Sequence, residues 1–347
     1  MMSDIYSWQH DIWQKLMHSR QFQGHALLLK GKKGTGKYEF ARQLAKSLLC
    51  TAPATGQKAC GACLSCGWFE QASHPNFYQV MPEALLANSD SSAEKDESEE
   101  KSGGTAPKKS ASQQIGVEQI RKLTDFVYMS GHQNGLKIIL IYPAETMNSA
   151  AANALLKKLE EPPEQVLFLL VTHQAQRLLP TIRSRCQQIA MPLPDAAAAL
   201  AWLKQQEVSD PEASLAAAGF SPLTALLLAK GENAAQYGQF IEQIGHPSRL
   251  DPLSLAEALQ QTNLSVVVNW LQKWCYDLVS YRTSGKIRYY VKQLPVIQAL
   301  SQQMDLPGCV TFTRGLNAKQ QLSHHPLNPR LFLEEMFIAY AAMMTRK

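Results

Sequence analysis

The chain has 347 residues, a length that favours two or three domains over a single core. Hydrophobic residues make up 45% and charged residues 18%, which is an ordinary globular balance, and a net charge of +5 is too small to argue for nucleic-acid binding. No apolar run reaches the roughly 18 residues of a membrane span, and residues 1–14 lack the basic-then-apolar order of a signal peptide. We therefore expect a cytoplasmic protein without a membrane partner.

The first elements follow the order that a phosphate-binding loop requires. Residues 4–19 place apolar side chains at helical spacing, and the short apolar run Ala26–Leu29 predicts a strand. A glycine-rich turn follows, and then a helical pattern over Tyr38–Leu49. Strand, glycine loop and helix in this order are typical of nucleotide-binding domains.

The loop itself matches the pattern G-x-x-x-x-G-K but departs from it at the next position. Its candidate phosphate-binding residues are Gly31, Gly34, Gly36 and Lys37. Glycines let backbone N–H groups turn towards phosphates, and the lysine reaches the terminal phosphates. Tyr38 stands where a serine or threonine hydroxyl normally binds Mg²⁺. Whether ATP or ADP binds here therefore stays open, and a loop that binds nothing is the alternative.

Four of the seven cysteines lie close together in the chain, at Cys50, Cys60, Cys63 and Cys66. Four thiolates with two C-x-x-C turns suit tetrahedral Zn²⁺ and leave no open position, so we predict a structural zinc site. Free or redox-active cysteines are the alternative. His74 is expected to be a surface or capping residue, not a ligand. The isolated Cys186, Cys275 and Cys309 are expected to be packing residues.

The segment 83–114 is rich in Ser, Glu, Asp, Lys and Gly and has almost no large apolar side chain after Leu86. Such a composition cannot bury enough surface to offset the entropy of ordering, so the segment is predicted to be a disordered insertion. A charged tail that binds a partner is the alternative reading.

Alternating helices and strands return after the insertion. The pattern predicts a helix over Val117–Met129, a strand over Lys137–Ile141, a helix over Asn148–Leu159 and a strand over Val166–Val171. Strands that are apolar on both faces indicate a parallel sheet with crossover helices. From Pro194 onward the patterns are helical only.

The strand Lys137–Ile141 should end in two acids in an active ATPase, one to bind Mg²⁺ and one to polarise the attacking water. Here it runs into Tyr142-Pro143-Ala144-Glu145. Tyrosine and proline do neither task, and Glu145 should begin the next turn. Together with Tyr38, these positions predict that the chain does not hydrolyse ATP.

Two further motifs carry a family resemblance. Residues 153–163 read NALLKKLEEPP, and residues 178–186 read LLPTIRSRC. With the loop and strands, they resemble the AAA+ clamp-loader family of bacterial DNA polymerase III over residues 1–188, and more loosely over the helical remainder. The resemblance implies an α/β AAA+ core at 1–189 that contains the zinc module at 50–66 and the insertion. It further implies an all-α lid at 190–240 and an all-α collar for oligomerisation at 241–347.

In that family the motif Ser184-Arg185-Cys186 carries an arginine finger, a guanidinium that reaches the ATP of the next subunit. The resemblance assigns this role to Arg185, with Arg183 as a weaker candidate. An Arg185 paired to an acid on its own surface is the alternative. Thr172 falls where the family places its first sensor, and Leu223 stands where a second-sensor arginine is expected.

The resemblance implies a non-hydrolysing, stationary subunit of a five-membered ring. Its partners would be the ATPase subunits of tau/gamma type and the delta subunit, with the sliding clamp and primer-template DNA contacted through the complex. Two alternatives stay open: an active ATPase that uses Glu145 and an unusual metal site, and an inert scaffold that holds nucleotide. A zinc-finger DNA-binding protein is disfavoured because no basic recognition helix lies beside the cysteines.

Overall fold

A computed structural model describes residues 5–19, 24–53, 58–90, 112–128, 135–323, 325 and 327–345. The chain forms two compact units, Met1–Leu193 and Pro194–Lys347. In the described residues no single helix is long and apolar enough to cross a membrane, and one bent pair, Pro211–Ala217 with Pro222–Lys230, passes that test by length and composition.

The first unit contains a five-stranded, all-parallel sheet with the strand order β2-β3-β4-β1-β5. Its strands are β1 (Ala26–Lys30), β2 (Phe77–Val80), β3 (Lys137–Ile141), β4 (Val166–Thr172) and β5 (Gln187–Ala190). Seven α-helices are described in this unit: α1 (His10–Ser19), α2 (Lys37–Leu49), α3 (Leu64–Glu70), α4 (Glu83–Asp90), α5 (Val117–Tyr128), α6 (Ser149–Glu160) and α7 (Pro180–Ser184). The predicted α/β core with a parallel sheet is confirmed.

Both faces of the sheet are buried, which explains why the central strands are continuous apolar runs. In β4, all seven residues are buried. Phe168 and Leu170 pack in one core, which we call the α5–α6 core, and Leu167 and Leu169 pack in another, which we call the α1–α2 core. Successive side chains of a strand point to opposite faces, so the two cores lie on opposite sides of the sheet.

The predicted disordered insertion is wrong at its start. Residues Glu83–Asp90 form α4, and the ends of the insertion meet, because the Ala84 N–H donates to the Ser112 carbonyl at 3.1 Å. Residues 83–86 retain two leucines and good helix formers, which the overall composition of 83–114 concealed. In the rest of the predicted insertion, residues 112–114 are described and residues 91–111 lie outside the described residues.

The second unit is helical throughout its described residues, as predicted. Its helices are α8 (Ala196–Gln205), α9 (Pro211–Ala217), α10 (Pro222–Lys230), α11 (Ala234–Ile244), α12 (Pro252–Leu259), α13 (Leu264–Ser284), α14 (Leu294–Gln303), α15 (Leu306–Leu322) and α16 (Pro329–Thr345). Aspartate caps followed by proline begin α9 and α12: Asp210 and Asp251 accept backbone N–H groups, and the proline fits the first helical position.

Two apolar cores divide this unit. The smaller one includes Leu203, Leu215 and Ala225. The larger one includes Phe240 and Ile244 of α11. The predicted boundary between 240 and 241 therefore falls inside a helix, and α11 packs with the C-terminal helices. The division of the unit into a lid and a collar remains a prediction.

A buried polar centre orders the larger core. The Asp277 carboxylate on α13 is fully buried and accepts the backbone N–H groups of Arg288 (2.8 Å), Tyr289 (2.9 Å) and Tyr290 (2.7 Å). A buried carboxylate requires such partners, because it has lost its hydration. These three bonds fix the chain where it turns back after α13.

Candidate functional site

The glycine loop between β1 and α2 is covered by the N-terminal segment of the same chain. The Gln9 side-chain amide donates to the carbonyls of Thr35 (3.0 Å) and Gly36 (2.8 Å), and the Trp8 indole N–H donates to the Thr35 carbonyl (3.1 Å). Gly36 has a φ of +83°, and a Cβ atom there would lie 2.4 Å from the Tyr6 ring. Only glycine fits both the left-handed backbone and this close approach.

Lys37, the predicted phosphate-binding lysine, is the first residue of α2 and is buried, with 2% of its surface exposed. Its ammonium group donates to the Lys32 carbonyl within the loop, and the Thr35 hydroxyl donates to the same carbonyl at 3.0 Å. Burial lowers the pKa of Lys37 to about 8, although the negative charges of Glu145 and Glu39 oppose the shift. The lysine therefore remains mainly protonated at neutral pH.

Two aromatic rings, those of Tyr38 and Tyr142, stand at the sequence positions where the motif predicts oxygen ligands for Mg²⁺. The rings of Tyr38 and Tyr142 stack with centroids 4.5 Å apart, and the His173 ring meets Tyr142 edge-on at 5.6 Å. The Tyr38 hydroxyl donates to the Gln79 side-chain oxygen at 3.2 Å. Burial, followed by the charge of Glu39, raises the pKa of Tyr142, so its phenol stays neutral and offers no anionic oxygen at physiological pH.

Glu145 lies in a 3-10 turn after β3, as predicted, but it also belongs to this site. It accepts the His173 backbone N–H at 2.9 Å, and its charge is near enough to raise the pKa of Lys37. Its second oxygen and both ring nitrogens of His173 are buried without a hydrogen-bond partner among the described residues. Burial, assisted by the charges of Lys37 and Lys33, lowers the pKa of His173 to about 3.

Thr172, the predicted sensor position, is fully buried at the end of β4. Its hydroxyl oxygen accepts the Gln174 backbone N–H at 3.2 Å, which fixes the turn after the strand. Among the described residues, the Thr172 hydroxyl thus stabilises the local backbone turn.

Arg185 follows α7 directly and is exposed at the surface of the first unit. Its Nη2 lies 2.8 Å from Oε1 of Glu160, and its Nη1 donates to the Thr181 carbonyl at 3.1 Å. Ser184 donates its hydroxyl to the same carbonyl at 3.0 Å. The predicted alternative, a pairing with an acid of the same chain, is therefore present in this structure. With 36% of its side chain exposed, Arg185 remains accessible to a partner.

The neighbours of Arg185 in the motif take different roles. Cys186 is buried in the α5–α6 core together with Ile182, in agreement with a packing role, and burial raises the pKa of its thiol. Arg183 is half-buried, and its Nε is buried without a partner among the described residues. Arg185 is thus the more accessible of the two arginines.

The four cysteines predicted to bind zinc come together in space. Their Sγ atoms all lie within 4.8 Å of one another, and the measured separations include 3.5 Å (Cys50–Cys60), 3.8 Å (Cys50–Cys63) and 4.0 Å (Cys60–Cys66). Thiolates about 2.3 Å from a tetrahedral Zn²⁺ are separated by about 3.8 Å. A disulfide would need about 2.05 Å. The arrangement therefore fits a four-thiolate zinc site.

Backbone N–H groups support the sulfur atoms as acceptors. Cys60 N donates to Cys50 Sγ (3.3 Å), Cys63 N to Cys60 Sγ (3.4 Å) and Cys66 N to Cys63 Sγ (3.5 Å). A hydrogen bond from Thr51 lowers the pKa of Cys63 to about 5, whereas burial raises the pKa of Cys66 to about 12. Zinc binds the thiolate form, so a bound ion would displace the proton of Cys66.

His74 is not at the surface: it is buried and links the cysteine module to β2. Its Nδ1 accepts the Asn76 backbone N–H at 3.0 Å, so Nε2 carries the proton and donates to the Ser65 hydroxyl at 2.9 Å. Ser65 in turn donates to the Leu49 carbonyl at 2.6 Å. The predicted surface position is wrong, and the predicted capping role agrees with these contacts.

Two sets of contacts were not predicted from the sequence. The cover over the loop by Tyr6, Trp8 and Gln9 joins residues that are far apart in the chain and have no motif of their own. Glu160 carried a weak signal, because an acid at the C-terminal end of a helix opposes the helix dipole and needs another partner.

Comparisons with known proteins match most of the chain to one family. The family model described as DNA polymerase III, delta subunit matches residues 8–195, and the model described as DNA polymerase III, delta subunit, C terminal matches residues 232–340. A relative from Pseudomonas aeruginosa named DNA polymerase III subunit delta′ is 34% identical and is covered over 99% of both chains. A Yersinia pestis relative of the same name is 31% identical, with 98% of this chain and 96% of the relative covered. A solved structure of a DNA polymerase III gamma subunit-related protein from Thermotoga maritima is 17% identical, with 97% of this chain and 99% of that chain covered and a TM-score of 0.44.

Proposed function

The chain belongs to the family of DNA polymerase III subunit delta′, and from that membership we propose that it is a clamp-loader subunit that does not hydrolyse ATP. It contributes Arg185 to the ATP site of a neighbouring ATPase subunit. Its partners are ATPase subunits of tau/gamma type and the delta subunit in a five-membered ring. Through that complex it takes part in loading the sliding clamp onto primed DNA.

The Tyr38–Tyr142 stack is the observation that carries the proposal. Mg²⁺ demands oxygen ligands at about 2.0–2.1 Å in octahedral geometry, and it loses its hydration shell reluctantly. The two rings stack 4.5 Å apart, at the sequence positions where the motif predicts the hydroxyl and the carboxylate that would hold the ion. Phosphoryl transfer depends on that ion to neutralise developing charge. These rings argue against hydrolysis by this chain, while the accessible side chain of Arg185 supports a role at a neighbour's site.

Arg185 suits a role at another subunit's nucleotide. A guanidinium is always charged and offers five N–H donors in a planar fork that matches phosphate oxygens. Arg185 stands on a fixed base, because Ile182 and Cys186 on either side of it are buried in the α5–α6 core. An arginine finger needs this combination of a rigid backbone and an accessible side chain.

We also propose that Cys50, Cys60, Cys63 and Cys66 hold one Zn²⁺ with a structural role. Four sulfur ligands leave no coordination position for a substrate or a water molecule. The ion would clip the segment before α3 to the end of α2, where Cys50 follows Leu49. The Ser65–His74 contact and the ion pair between Lys46 and Glu70 support the same junction.

The test is Arg185→Ala in the reconstituted clamp loader, with Arg177→Ala, an exposed arginine before α7, as the matched control. Arginine fingers contribute a factor of about 10³–10⁵ to kcat, so ATP hydrolysis at the adjoining site should nearly stop. The DNA-stimulated ATPase rate of the whole complex should then decrease by the part that this one site contributes. Assembly of the complex should be unchanged. Unchanged ATPase activity and clamp loading in Arg185→Ala would remove the proposal.

One observation favours a second candidate, nucleotide binding by this chain. The loop keeps its three glycines, all with positive φ, and its lysine, Lys37, at the start of α2. Titration of the isolated chain with labelled ATP, with and without Mg²⁺, separates an inert nucleotide-bound scaffold from an empty loop. Turnover by the isolated chain would favour the active ATPase that uses Glu145, and its absence would dismiss that alternative.

A further inference from the structure

The contact between Glu160 and Arg185 joins the two motifs that carry the family resemblance. Glu160 is the last residue of α6, within the segment NALLKKLEEPP, and Arg185 is the middle residue of Ser-Arg-Cys. One guanidinium nitrogen, Nη2, meets the Glu160 carboxylate at 2.8 Å, while Nη1 donates to the Thr181 carbonyl at 3.1 Å. The guanidinium is therefore held from two directions by two different elements.

Helix electrostatics do not explain an acid at the position of Glu160. The C-terminal end of a helix carries partial negative charge, which favours cations such as Lys157 and Lys158 in the last turn of α6 and disfavours carboxylates. The Arg185 guanidinium compensates the negative charge of the Glu160 carboxylate. Pairing with Arg185 thus makes a carboxylate at the end of α6 electrostatically favourable.

The backbones on both sides of this contact are fixed by burial. Leu159, next to Glu160, is 1% exposed, and Ile182 in α7 is fully buried; both belong to the α5–α6 core. The charged ends of the two side chains remain partly exposed, at 43% for Glu160 and 36% for Arg185. An ion pair so exposed contributes little to folding stability. A geometric role fits these observations better than a stabilising one.

We propose that Glu160 is a positioning residue for Arg185. This role rests on the proposed function of Arg185 as an arginine finger for the neighbouring subunit. Together with the Thr181 carbonyl, Glu160 holds the guanidinium by two of its N–H donors and leaves the others for the γ-phosphate of the neighbouring subunit. An arginine that is already ordered loses less side-chain entropy when it meets the phosphate. In this role Glu160 acts through Arg185, which it contacts at 2.8 Å.

The test is a double-mutant cycle in the reconstituted loader with wild type, Glu160→Gln, Arg185→Ala and the double variant. Arg185-dependent ATPase is defined as the DNA-stimulated rate that Arg185→Ala removes. Glu160→Gln should lower this rate about threefold, the size expected for one exposed, oriented ion pair, and leave the half-saturating ATP concentration unchanged. In the Arg185→Ala background the same substitution should cause no further loss. Glu161→Gln, which removes the same charge one residue later, is the matched control and should behave as wild type.

Each outcome decides a separate point. Normal activity of Glu160→Gln beside a defective Arg185→Ala overturns the positioning role and leaves the finger intact. A higher rate in Glu160→Gln also overturns it, because the carboxylate would then compete with the phosphate for the arginine. An equal loss with and without Arg185 means that Glu160 acts by another route. Normal activity of Arg185→Ala refutes the proposed function itself.

Discussion

Removal of zinc, by a chelator or by Cys66→Ser, is the perturbation with the clearest expected size. Three of the sulfur separations lie between 3.5 and 4.0 Å, around the value of about 3.8 Å that a tetrahedral four-thiolate ion requires. The purified protein should therefore contain one zinc per chain. Cys66→Ser should contain none, because Cys66 is the most buried of the four ligands and serine offers no thiolate.

The effect on stability follows from the loop that the ion closes. Cys50 and Cys66 are the outermost ligands, and a cross-link across a loop of about 15 residues stabilises a fold by about 3 kcal/mol. Ligand linkage gives a similar figure, about 4 kcal/mol when free zinc exceeds Kd by about 1,000-fold. We thus expect the chelated protein to lose about 3–4 kcal/mol of unfolding free energy.

The assay combines elemental analysis with denaturant unfolding of the holo protein, the chelated protein and the variants. Cys309→Ala is the control, because Cys309 is buried in the second unit and should leave the zinc content at one per chain. Added zinc should restore the chelated wild type but not Cys66→Ser. Protein prepared in the presence of zinc, never exposed to a chelator and still free of the metal would refute the four-thiolate site.

Two further predictions concern stability. Asp277→Asn should lower the unfolding free energy by about 3 kcal/mol, because an amide has one acceptor oxygen for three buried N–H donors. Urea denaturation measures this loss of unfolding free energy. Asp305→Asn is the control and should be neutral, because asparagine is also a good helix cap for α15. Burial lowers the pKa of His74 in the folded protein, so the folded state favours the neutral imidazole. The contribution of His74 to the unfolding free energy is therefore present above the unfolded pKa of about 6.5 and is lost as the pH falls below that value. The stability difference between wild type and His74→Gln should accordingly shrink from pH 7.5 to pH 5, and a difference independent of pH would contradict this assignment.

The central strands could be predicted from the sequence because burial on both faces makes them continuous apolar runs, as in β3 and β4. The two edge strands could not. In β5, Gln187 and Gln188 are exposed, and β2 has only Val80 fully buried, so neither segment shows an apolar run or a clean alternation. Edge strands gain their order from the neighbour to which they are hydrogen-bonded, and this contact is not local in sequence.

The candidate sites show the same division between local and distant information. The cluster of four cysteines was predictable because C-x-x-C spacing is local in the sequence. The aromatic residues at positions 38 and 142, where the motif predicts oxygen ligands, were likewise readable from the sequence. The pairing of Glu160 with Arg185 and the cover of Gly36 by Tyr6 and Gln9 join separate segments of the chain. Such contacts depend on the fold that brings α6 beside α7, which spacing alone does not specify.

The position of the two sites in the fold explains how one can lose its chemistry while the other keeps it. Tyr38 and Tyr142 pack against the α1–α2 core on one side of the sheet, whereas Ile182, Cys186 and Leu159, which fix the arginine and its acid, belong to the α5–α6 core on the other. The sheet lies between these two sets of side chains. We therefore expect the identity of residues 38 and 142 to have little influence on the position of the Arg185 guanidinium. On the proposed function, the chain would offer Arg185 to its neighbour from a part of the fold that is separate from its own glycine loop.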